Sequence, residues 1–122
     1  MAIINTFQKC LESPYLVEDA EASGRTANLI ARAAERLDLA ERLHAVGQGD
    51  PADILYLSYE AMFQALRALV YAKNYREMGL HCLLIACEQL YVKTGDLDAA
   101  FLRRFELAQR LKLSTTEAVT AA

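Results

Sequence analysis

A chain of 122 residues, 54% hydrophobic and 24% charged, is long enough for one domain with a real core and too apolar for a disordered segment. A net charge of -3 and a pI near 5.4 exclude a general basic field for nucleic acid, so any such role needs a local patch. The start MAIINTFQKC has neither the basic region nor the apolar core of a secretory signal, and no run is long enough for a membrane span, so a cytoplasmic protein outside the membrane is expected.

In chain order, residues 3–11 form a short amphipathic helix with Ile3, Ile4, Phe7 and Leu11 at helical spacing, stopped by Ser13-Pro14. An acidic, irregular stretch leads to Gly24. The next helix is expected over 25–46, with Leu29, Ile30, Ala33, Leu37, Ala40 and Leu43 as its inward stripe. His44 near its end reads as a solvated cap. The clearest break is GQGD at 47–50. There Asp50 can cap, Pro51 suits the first helical position, and a helix follows to about Lys73.

That helix is apolar around most of its circumference, and only Glu60, Gln64 and Arg67 make a polar ridge. Such a helix should be buried on several sides, which argues for a second copy of the chain. After the turn YREMGLH, a helix over 79–93 carries Leu80, Leu83, Leu84, Cys87, Leu90 and Tyr91 inward. Leu66 and Leu84 are predicted to be fully buried. Gly95 supplies a C-cap, Asp96 or Asp98 starts the last helix, and Leu97, Phe101, Phe105, Ala108 and Leu111 form its apolar face. The tail over 113–122 is small, polar and expected to fray. No strand pattern stands out. The expected fold class is all-α: an antiparallel helical bundle of four main helices plus a short N-terminal helix, one domain over 1–122 with its core over about 17–112.

Three cysteines, Cys10, Cys82 and Cys87, read as reduced thiols. Their spacing does not make a metal site with His81, and neither metal nor cofactor is expected. Phosphate loops, a His-Glu-x-x-His unit and a nucleophile elbow are absent. What remains is Arg76 and His81, with four residues between them. On spacing alone the pair is weak, since about 0.4 such pairs arise by chance in this composition. On spacing alone, a surface arginine and a half-packed histidine are the better explanation.

The stretch YLSYEAMFQALRALVYAKNYREMGLHCLLIACEQLYVKTGDL resembles the HEPN family of small helical-bundle proteins. The likeness lies in AMFQALRALV, the turn before a histidine, and the helix closing on LYVKTGDL, and continues loosely into FLRRFELAQRL. In that family an arginine and a histidine with four to six residues between them form a ribonuclease motif, which Arg76 and His81 match. The resemblance implies a homodimer with a composite cleft, metal-independent cleavage of RNA, a toxin or defence role, and a nucleotidyltransferase-type antitoxin as partner. It equally allows a non-catalytic dimer that binds a partner protein or a nucleotide. Two positions depart from the pattern. Glu77 places an acid where phosphate would approach, and Leu83 stands where nucleotide-modified members carry a tyrosine. Tyr59 and Glu60, one helix earlier, are candidates to orient the pair.

Overall fold

The computed structural model describes residues 3–47 and 49–121, with side chains as far as Leu113. The elements are α1 (Phe7–Glu12), β1 (Leu16–Glu18), a 3-10 turn (Ala22–Arg25), α2 (Thr26–Ala45), α3 (Pro51–Ala72), β2 (Tyr75–Glu77), α4 (Leu80–Cys87) and α5 (Ala99–Ala121). The expected all-α architecture is present. Its helix ends follow from local chemistry. Thr6 Oγ1 accepts from the Lys9 amide to cap α1. Asp50 Oδ1 accepts from the Ala52 amide at 2.9 Å, with Pro51 opening α3. Gly47 and Gly95, at φ 69° and 86°, take left-handed backbone that a side chain would strain. Asp98 caps α5 through the Ala100 amide. Past Cys87 the helix widens into a π-turn (Glu88–Val92), which the Lys93 amide closes by donating to the Glu88 carbonyl.

The core is built on α3. Tyr59, Leu66 and Val70 meet Leu83, Ala86 and Cys87 of α4 and Leu102 and Phe105 of α5. The rings of Tyr59, Phe63 and Phe105 stack within 6.4 Å of one another. Helices α2, α4 and α5 and strand β2 all pack on α3, so one chain covers most of its apolar circumference. The breadth of that helix therefore does not by itself require a second copy. Among the large apolar side chains left exposed, Tyr15 at 48% and Met78 at 57% stand beside the turn before α4.

Several expectations are corrected. Strands β1 and β2 pair antiparallel, with Val17 opposite Arg76, so Arg76 stands on a strand. Three-residue strands are too short to write a period of two into the sequence. Asn74 turns the chain into β2 at φ 63°, and its carbonyl accepts from the Asp19 amide at 2.9 Å. On α2, Leu29 and Ala40 are buried, but Ile30 and Leu37 are exposed, because α2 lies chiefly along α3 and the flanks of its stripe stay uncovered. Leu66 is fully buried as expected, whereas Leu84 is half-buried at the rim of a surface groove. Leu111 is likewise exposed. Finally, Cys10 and Cys82 form a disulfide across 72 residues, with Cα atoms 5.7 Å apart, in place of two reduced thiols. Folding α1 onto α4 creates that proximity. Cys87 stays free and buried, its thiol pushed up to about 12 by desolvation.

Candidate functional site

The turn between α3 and α4 is framed by the two-stranded ribbon. Arg76 and its neighbour Glu77 border one groove beside β2 but take different partners. Arg76 Nε donates to Asp19 Oδ2 at 3.3 Å, and Nη1 lies 3.1 Å from the Met78 sulfur. Asp19 follows β1 directly, and the ribbon pairing places it within reach. The Glu21 amide, and after it the Arg76 guanidinium, hold the Asp19 carboxyl below its usual range against some desolvation.

Glu77 turns inward. Its side chain is 8% exposed and accepts from Arg67 Nε at 3.1 Å and from the Tyr71 hydroxyl at 3.2 Å. Arg67 Nη2 in turn donates to the Tyr71 oxygen at 2.8 Å, and Nη1 to Gln64 Oε1. The guanidinium lies 5.7 Å from the Phe63 ring centre and 5.2 Å from that of Tyr71. The acid beside the motif arginine thus belongs to a partly buried network with α3. Sequence reasoning missed Arg67, Tyr71 and Asp19. Gln64 and Arg67 on the polar ridge of α3 were the available signal, because an otherwise apolar helix keeps such residues where a partner waits.

His81 is the second residue of α4, after the extended Gly79. It is exposed, and its Nε2 is 2.7 Å from the Ile4 carbonyl oxygen. A carbonyl accepts only, so Nε2 carries a proton. Arg76 lines a groove of about 490 Å3 with Arg25, Arg67, Tyr71 and Glu77. His81 lines another, of about 340 Å3, with Leu84, Glu106, Gln109 and Arg110. Leu80 borders both. Within one chain Arg76 and His81 therefore face neighbouring grooves across a shared ridge, and neither groove holds both. Tyr59 lies in the core, 5.0 Å from Phe105, with Lys112 Nζ 4.4 Å from its ring centre, and burial raises its pKa. Glu60 is half-buried beside it and lines neither groove. Leu83 is fully buried in the core and has no hydroxyl to modify.

Among the described residues no group of three or more His, Cys, Asp and Glu side chains is placed to hold a metal ion. Likewise no helix is long and apolar enough to cross a membrane. The bundle, with an arginine and a histidine bracketing the turn into its fourth helix, defines a small all-α protein of the helical-bundle class. The chain belongs to the HEPN family: the family model for the HEPN domain matches residues 26–118. Neither a curated protein nor a solved structure gives a match.

Proposed function

We propose that this HEPN protein is a metal-independent endoribonuclease, of the toxin or defence kind, working as a homodimer with Arg76 and His81 as its catalytic residues. The observation that carries this reading is the placement of the pair on either side of Leu80, which borders both grooves, on a surface with exposed Tyr15 and Met78. A two-fold axis at this apolar edge would set the arginine of one copy against the histidine of the other, forming the cleft that one chain lacks. The inward turn of Glu77 favours the same reading, since its charge is met by Arg67 and does not stand alone against RNA.

The chemistry follows from the side chains. One imidazole takes the proton of a ribose 2′-hydroxyl, whose oxygen attacks the adjacent phosphorus. The fixed, forked cation of Arg76 binds the phosphate oxygens as charge builds on them. The second copy of His81 protonates the departing 5′-oxygen. The products are a 2′,3′-cyclic phosphate and a 5′-hydroxyl. No step requires a metal or a cofactor.

The test compares wild type, Arg76→Ala and His81→Ala on a mixed RNA, with and without a chelator and under reducing and non-reducing conditions. Each variant should lose at least about 10²-fold in rate while remaining folded, and the chelator should change nothing. Equal cleavage by all three proteins would refute the assignment. The alternative is a non-catalytic dimer binding a partner protein, such as a nucleotidyltransferase-type antitoxin, or a nucleotide. The Asp19–Arg76 pair favours it, because a cation already paired has less to offer a phosphate. Absence of cleavage by wild type in every condition would select that reading.

A further inference from the structure

Residues 3–12 lie ahead of the segment that the family covers, which begins at residue 26. They nevertheless reach the candidate site and are fastened there. The Ile4 carbonyl sits 2.7 Å from His81 Nε2. Farther along, Cys10 is bonded to Cys82, the chain neighbour of His81. Between the two, Phe7 meets Tyr75 of β2 edge-on, with ring centres 5.3 Å apart. The segment closes over a hollow of about 220 Å3 lined by Ile4, Tyr15, Leu80 and His81.

A helix of six residues is too short to hold itself in place. In α1 only Cys10 is fully buried, while Phe7 and Leu11 are half-buried. Ile4, Phe7 and Leu11 are only partly buried against the core, and the covalent bond adds to that packing a fixation next to His81 that keeps the Ile4 backbone on the imidazole. With Nε2 committed to a carbonyl, one of the two ring nitrogens is withdrawn from proton transfer to anything else.

We propose that residues 3–12 are a strap over His81, locked by the Cys10–Cys82 disulfide, and that a dithiol reductant releases it and frees Nε2. A thiolate of the reductant attacks one sulfur and forms a mixed disulfide. Its second thiol then displaces the protein sulfur. Two electrons and two protons pass to the protein, leaving Cys10 and Cys82 as thiols and the reductant as a disulfide. Both cysteines are buried, so exchange proceeds through opening of the short terminal helix. Cys87, buried beneath α3, takes no part.

The release rests on this geometry alone, and only its effect on cleavage rests on the nuclease reading. The experiment uses the full chain labelled with 15N, at pH about 8, where imidazole is neutral. Long-range 15N–1H spectra read the tautomer of each histidine, and His44, in the exposed last turn of α2, is the internal reference. In the air-oxidised protein, one thiol should titrate per denatured chain and His81 should hold the Nε2–H form. With dithiothreitol, three thiols should titrate. His81 should then move to the averaged shifts of His44, with the helical circular dichroism retained. Cys10→Ala without reductant should reproduce the change. On RNA, release should raise cleavage toward the about 10²-fold contributed by a general acid-base group. Identical His81 shifts before and after reduction, or three free thiols in the oxidised protein, would overturn the proposal. A freed His81 without cleavage in either state would support the strap and remove the nuclease reading.

Discussion

Replacing Glu77 by alanine takes away the carboxylate that balances Arg67. The guanidinium is then left beside Phe63 and Tyr71 with its side chain 24% exposed. Breaking a fully buried pair by removing one partner costs about 3–5 kcal/mol. Arg67 retains some solvent and keeps Gln64 and the Tyr71 oxygen, so the expected loss is about 2–4 kcal/mol. For a chain of this length that corresponds to a fall in Tm of roughly 8–16 °C. Glu77→Gln retains an acceptor and should lose less, and Tyr71→Phe should lose about 1–2 kcal/mol, as for a hydroxyl bonded on both sides. The two milder changes share one network, so they should couple by at least about 0.5 kcal/mol in a double-mutant cycle read by urea unfolding. The same variants test the direction in which Glu77 faces. An acid opposing RNA would give a Glu77→Gln protein of unchanged stability and faster cleavage. An acid held in the fold gives a less stable protein with no gain in rate. A Glu77→Ala protein within 0.5 kcal/mol of wild type, a surface-like result, would refute the network.

Leu66→Ala, at a position with no exposure, should cost about 2–5 kcal/mol by chemical denaturation, and Leu84→Ala, at a groove rim, distinctly less. Asp19 titrates below its ordinary value of 3.8 in the folded chain, so its contribution is complete above that pH and is lost as pH falls through the lowered value. Melting curves of wild type and Asp19→Asn taken downward from pH 6 should therefore draw together once pH falls below 3.8, and a gap that stays constant on acidification would contradict the pairing. By sedimentation, the wild type should be a dimer at micromolar concentration and Met78→Glu should be shifted toward monomer. A monomeric wild type would remove the composite cleft.

Helix positions were legible in the sequence because their causes are local. Asp50-Pro51, Gly95 and Asp98 set helix ends by contacts a few residues away, and a period of 3.6 sustained along α3 and α5 marks their inward faces. Leu84 and Ile30 misled because periodicity says which face is apolar, and only the neighbours say how far it is covered. The Arg76 and His81 spacing was visible at once, yet its meaning came from family likeness, and the fold set the two on different grooves of one chain. What decides their surroundings is remote in sequence. Asp19 reaches Arg76 across 57 residues, Ile4 reaches His81 across 77, and Cys10 reaches Cys82 across 72. Such contacts exist only after the helices have packed, since loop closure joins groups that no local preference relates. Composition and periodicity determined a helical bundle built on α3. The ribbon, the disulfide and the partners of the motif were decided by tertiary structure, because each is made by two segments that are neighbours in space alone.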